Sequence, residues 1–168
     1  MLTFLPAFVA TWGALSAVDR LLTSAAPQWR LRRSLHKNLG LNGATNVLHH
    51  VDEITPMAAV DLLYSVAEFD LSEGPLRLHV APTDDYRALQ CATTSTVTFA
   101  YRSTNTTPRL GSTTTLVGPR DAEHDDPSAL RCPDSRGLLV LRFLVTDAAH
   151  RARIDEKRRE CRLEIGSR

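Results

Sequence analysis

The alternation of apolar and polar positions is clearest in the middle of the chain. Ala67-Glu68-Phe69-Asp70-Leu71 alternates, Ser72-Glu73-Gly74-Pro75 interrupts, and Leu76-Arg77-Leu78-His79-Val80 alternates again. Two such runs around a Gly-Pro step predict a β-hairpin. Met57–Val66 fits a helical stripe as well as a strand. Between Thr93 and Thr115 ten of 23 residues are threonine, with Val97, Phe99 and Tyr101 on one alternating face. That β-branched density predicts strands. A polar stretch from Arg120 to about Arg136 reads as a long loop. Gly137 then opens the strongest apolar run, Leu138–Val145, interrupted only by Arg142, which predicts a central buried strand. Thr146-Asp147 offers a cap for a charged, mostly exposed helix over 148–161.

The start of the chain follows a different pattern. Residues 2–18 carry no charge, and the run ends at Asp19-Arg20. Seventeen residues stand at the short limit for a membrane helix, and Pro6 and Gly13 weaken that reading. A surface helix from Pro6 to Thr23, with Phe8, Trp12, Leu15 and Leu22 on one stripe, fits equally well. A signal remnant is the third reading, although no basic residue precedes the run. Residues 1–24 are accordingly expected to form an apolar helix that contacts a membrane through 2–22. Residues 25–56 are expected to form a basic helical and loop linker, and 57–168 the main domain. The expected architecture is mainly β (α+β): an antiparallel β-sandwich or jelly-roll-like core with N-terminal helices and a C-terminal helix.

Composition narrows the function classes. The 168 residues carry a net charge of +1, which is not the footprint of a nucleic-acid binder, and none is expected as a partner. The charge is nonetheless uneven: +4 over 19–37, −6 over 38–141 and +3 over 142–168. Positive residues after an apolar run favour a cytoplasmic body if that run spans a membrane. They also permit contact with anionic lipid. Cys91, Cys132 and Cys161 are too few and too scattered for a disulfide scaffold, though Cys91 and Cys132 could pair outside the cytoplasm. His49-His50 point to different sides of any regular element, so no metal site is expected there. No phosphate loop, nucleophile elbow or zincin helix is present, and no cofactor is expected.

The order of short words along the chain resembles the domain-of-unknown-function 1254 family. Asp61-Leu62-Leu63-Tyr64-Ser65, Phe69-Asp70-Leu71 and Gly74-Pro75 are similar to that family's D-T-L-Y-S, F-D-L and G-P steps. Asp85–Gln90, Phe99-Ala100-Tyr101, Leu116–Pro119 and Leu141-Arg142 follow in the family's order, and the match covers about 57–165. The resemblance implies a β-sandwich or jelly-roll module, commonly bacterial and often exported or membrane-anchored. It also implies a partner β module of the domain-of-unknown-function 1214 type. The family habit of export conflicts with the cytoplasmic body that the basic cluster favours. Ala59-Val60, Asp85 and Asn105 depart from the family's usual polar residues.

Arg142 is the sharpest candidate for a functional side chain, because a guanidinium within an apolar strand needs a partner or an opening. A polar cleft is expected to gather Arg142, Arg77, Tyr86, Gln90 and Asp61 as ligand-binding groups, with His79 and Tyr64 as weak catalytic candidates. The bland alternative is a structural pair between Arg142 and Asp61 or Asp70. The leading expectation is a membrane-associated, non-enzymatic module that docks with a partner β module. Its rival is a hydrolase-like or small anionic-ligand-binding enzyme around Arg142, His79 and Tyr64, with His79 as general base.

Overall fold

The computed structural model describes residues 44–51, 61–95, 97–106, 109–121 and 126–166. The expected N-terminal helices, the membrane contact and the basic cluster lie outside these residues. All described residues belong to one compact unit spanning 35–168.

The unit is mainly β, with two sheets and one helix near the C-terminus. Sheet A takes its strands in the spatial order β1 (His49–Val51), β2 (Leu62–Asp70), β8 (Arg136–Leu144), β4 (Arg87–Thr93) and β5 (Thr98–Ser103). Sheet B runs β7 (Leu130–Arg131), β6 (Thr113–Val117), β3 (Leu76–His79) and β9 (Arg162–Ile165). Every pairing is antiparallel except that of β6 with β7. Helix α1 spans Ala148–Arg159.

The apolar run Leu138–Val145 supplies the middle strand of sheet A, as its pattern predicts. Leu139, Leu141 and Phe143 are fully buried and share one core with Leu76, Leu78 and Leu116 of sheet B. The register sets Leu63 opposite Phe143 and Ala67 opposite Leu139 on one side, and Leu89 opposite Leu141 on the other. Arg142 therefore belongs to the face of sheet A that looks away from the core. At the start of β8 the packing requires a glycine. A Cβ on Gly137 would stand 2.3 Å from the Ala92 carbonyl oxygen and 2.5 Å from Phe69 Cζ.

Two expectations need correction. The runs 67–71 and 76–80 are not a hairpin, because β2 lies in sheet A and β3 in sheet B. Both strands bury alternate side chains in the common core, so alternation alone could not show that the intervening turn crosses between sheets. Phe99 and Tyr101 do not share a face either. A bulge opposite Cys91 and Ala92 inserts an extra residue. It turns Phe99 onto the core, edge-on to Phe69 at 6.5 Å, and leaves Tyr101 outside at 43% exposure.

Helix α1 starts as expected, with Asp147 accepting from the His150 N–H at 2.8 Å. It is anchored through His150, Ile154 and Arg158, four residues apart. Arg158 is fully buried and donates from Nη1 to the carbonyls of Val51 and Tyr64, 2.9 Å each, tying the helix to β1 and β2. The helix ends two residues before the expected limit, and the chain then turns into β9, a strand too short and charged to stand out in sequence. Cys91, Cys132 and Cys161 are free and buried. Burial raises their thiols, Cys132 to about 12, so they behave as core residues rather than nucleophiles. Among the described residues no helix is long and apolar enough to cross a membrane, and no three metal-ligating side chains gather.

Candidate functional site

The outward face of sheet A brings together four of the sequence-predicted residues. Tyr64 on β2 stands opposite Arg142 on β8, and Gln90 on β4 stands opposite Val140, one step along. Arg142 donates from Nη2 to Gln90 Oε1 at 2.6 Å, and its Cζ lies 5.8 Å from the centroid of the Tyr64 ring. Gln90 passes its own amide hydrogen to Thr98 Oγ1 at 2.7 Å. Tyr86 meets Tyr101 hydroxyl to hydroxyl at 2.9 Å. That contact, and then burial, raise the Tyr101 phenol, while the Arg142 charge pulls the other way.

The guanidinium is thus held by a neutral amide and an aromatic face. Among the described residues no carboxylate pairs with it. Asp70 is engaged elsewhere, with Arg136 Nε at 2.7 Å and Nη2 at 2.6 Å. Asp61 lies at the end of β2, where its carbonyl accepts from the Val145 N–H at 2.7 Å. The structural pair expected between Arg142 and either aspartate does not form. A half-buried cation with neutral neighbours keeps hydrogens for an incoming carboxylate or other anion.

Arg77 and His79 do not join this group. They alternate with the buried Leu76 and Leu78, so they occupy the outward face of sheet B. His79 Nε2 lies 2.9 Å from Glu164 Oε2, and Arg162 Nε donates to Glu164 Oε1 at 2.7 Å. Arg77 stands opposite Glu164 in the β3–β9 register. A cleft gathering His79 with Arg142 and Tyr64 is therefore not what this fold builds. Asp61 is apart again, on the rim of a cavity of about 250 Å³ with Val145, Thr146 and Arg151.

Sequence reasoning passed over two features of sheet A. Tyr101 joins Tyr86 only because of the bulge, which leaves no local signal. Strand β5 is the outer strand of the sheet's order, and Val97 beside it is 62% exposed. Among the described residues, β5 is an edge strand with Val97 and Tyr101 exposed, and Arg142, two strands away on the same sheet, has no counter-charge.

By architecture this is a mainly-β domain of two sheets closed by a C-terminal helix, with an aromatic and guanidinium face on one sheet. The chain matches the family model described as "Protein of unknown function (DUF1254)" over residues 43–164, and it belongs to that family. Two crystal structures share the fold. The VPA0106 protein from Vibrio parahaemolyticus aligns with a TM-score of 0.65 at 14% identity, over 82% of this chain and 34% of that one. An uncharacterised protein from Burkholderia cenocepacia aligns with a TM-score of 0.51 at 14% identity, over 88% of this chain and 46% of that one. The chain thus spans less than half the length of either. No curated protein matches it in sequence.

Proposed function

We propose that this chain is a β-sandwich assembly module that docks a partner β module on the outward face of sheet A and the edge of β5. The observation that carries the reading is Arg142, held by Gln90 and Tyr64 with no carboxylate among the described residues, beside an edge strand bordered by exposed Val97 and Tyr101. Tyrosine and arginine are the residue types that dominate binding hot spots. Among the described residues no strand pairs with the outer edge of β5, and such an edge is a template for a strand from another module. In both similar structures the shared fold occupies less than half of a longer chain, which favours a second module as the occupant. A partner of the domain-of-unknown-function 1214 type, with an acidic group facing Arg142, fits this surface.

Membrane association belongs to the same reading, carried by the uncharged run at 2–18. Deleting residues 1–22 tests it, since loss of membrane fractionation with retained folding is the expected result. The rival enzyme built on Arg142, His79 and Tyr64 is not favoured, because the outward faces of two different sheets carry its members.

The docking reading is tested by capturing tagged full-length protein from gently solubilised host cells and identifying what accompanies it. A stoichiometric β module is expected, and Arg142→Met or Tyr101→Ala is expected to lose it. Protein that comes down alone, or a partner retained undiminished by both variants, overturns the proposal.

A further inference from the structure

Where β8 gives way to α1, a chain of side-chain contacts runs from a carboxylate to a surface hydroxyl. Thr83 Oγ1 donates to Asp85 Oδ2 at 2.8 Å and accepts from the Asp85 N–H at 3.2 Å. This orients the carboxylate and leaves Oδ1 at 3.1 Å from His150 Nε2. On the other side of the ring, Nδ1 lies 2.8 Å from Thr146 Oγ1 and accepts the Thr146 backbone N–H at 3.2 Å. A backbone N–H only donates, so Nδ1 is unprotonated and the ring proton sits on Nε2, toward Asp85. Nε2 lies 3.1 Å from Asp85 Oδ1 without making a hydrogen bond to it in this geometry. Contacts of this kind often tighten only when substrate binds.

Burial and access are arranged in the order that nucleophilic chemistry requires. His150 is 8% exposed, whereas Thr146 is exposed and lines the cavity of about 250 Å³ with Asp61, Val145, Asp147, Ala148 and Arg151. The Thr146 hydroxyl also lies 3.2 Å from Asp147 Oδ2, but its shorter contact is to the imidazole. Helix capping explains part of the arrangement. Asp147 caps the His150 N–H, and the Thr146 N–H on the His150 ring supplies the reciprocal arm. Capping needs neither the Thr146 hydroxyl nor a carboxylate 65 residues away in sequence on the far side of the ring.

We propose that Thr146 is a nucleophile for small carboxylic esters, with His150 as its general base and Asp85 as the residue that positions the ring. Thr146 Oγ attacks the ester carbonyl while its proton passes to His150 Nδ1. An Oγ–acyl bond forms, the bond to the leaving alcohol breaks, and that alcohol takes the proton back from His150. Water, deprotonated in turn by His150, then cleaves the acyl-threonine to a carboxylic acid and restores the hydroxyl. This activity is independent of the docking face.

The test mixes full-length protein with p-nitrophenyl acetate and follows p-nitrophenolate release, intact mass and peptide mapping. Acetylation at Thr146, or turnover above the level of Thr146→Val, is expected. Thr146→Val keeps the backbone N–H that binds His150, so the cap survives and circular dichroism stays unchanged. Asp85→Asn is expected to slow the reaction about tenfold or more. The loss is expected in kcat with KM unchanged, and Asp85→Glu, which keeps the carboxylate, is expected to restore part of it. Wild-type protein that neither carries acetyl on Thr146 nor outpaces Thr146→Val overturns the proposal.

Discussion

The two sheets dispose of the charge on their outward faces in opposite ways. On sheet B, Glu164 accepts from Arg162 and lies against His79, with Arg77 opposite it in the register. These exposed charges answer one another within β9 and across to β3. On sheet A, Arg142 is met by an amide and a tyrosine ring. A charge already neutralised by its neighbours gains little from a newcomer, whereas one with neutral neighbours keeps its field and its donors. Counting charged residues would rank sheet B as the richer site. The pairing pattern ranks sheet A first.

Both faces are mounted on one core, and the largest expected effect comes from breaking it. Gly137→Ala places a methyl group 2.3 Å from the Ala92 carbonyl oxygen, in the rigid interior between β8 and β4. A loss of about 3 kcal/mol or more is expected, seen as an earlier urea midpoint in one cooperative transition. An unchanged midpoint would show that β8 does not lie this close to Phe69 and β4.

Next in size is the ion pair that sheet A does close, at the start of β8 beside Gly137. Asp70→Asn removes a charge bonded to Arg136 and to the Ser72 N–H, and a cost of about 1–3 kcal/mol is expected at neutral pH. Burial raises the Asp70 carboxyl, but the Ser72 hydrogen bonds and Arg136 outweigh it and hold the group below its ordinary 3.8. A carboxyl lowered by folding stabilises the fold above its unfolded value and loses that contribution as pH falls through its folded one. The gap between wild type and Asp70→Asn should therefore be full at neutral pH and close below about pH 3.8. Urea midpoints measured at pH 7 and pH 3 decide it, and a gap that persists in acid counts against the pairing. Arg142→Met follows, with about a tenfold loss of partner affinity, roughly 1.4 kcal/mol, and little change in thermal midpoint. Titration calorimetry with the isolated partner would measure the loss.

How legible all this was in sequence depended on whether the signal was local. The central strand and the start of α1 could be read because Leu138–Val145 and Thr146-Asp147 carry their own patterns. Assigning β2 and β3 to different sheets could not be read, since each strand alternates correctly whichever neighbour it takes. The Arg142, Gln90, Tyr64 and Tyr86 group was partly legible as unusual polar residues in strands. Its exclusion of His79 and Arg77 was not, because that depends on which sheet each strand joins. Tyr101 needed the bulge, and the contact of His150 with Asp85 needed a fold that brings together residues 65 positions apart.

The smallest expected effect tests the contrast between the faces most directly. The Glu164 carboxyl is held below its ordinary value by Arg162 first and His79 second, and it stands in solvent. Exposed cross-strand ions are screened and lose side-chain freedom when they pair, so Glu164→Gln should leave the thermal midpoint where it was. It should also leave partner binding unchanged, because the charges it disturbs belong to the other sheet. The measurement is the calorimetric titration used for Arg142→Met, run on both variants with one partner preparation. If Glu164→Gln weakened binding as much as Arg142→Met, the partner would be reading general surface charge. The Arg142 guanidinium would then have no special part in docking.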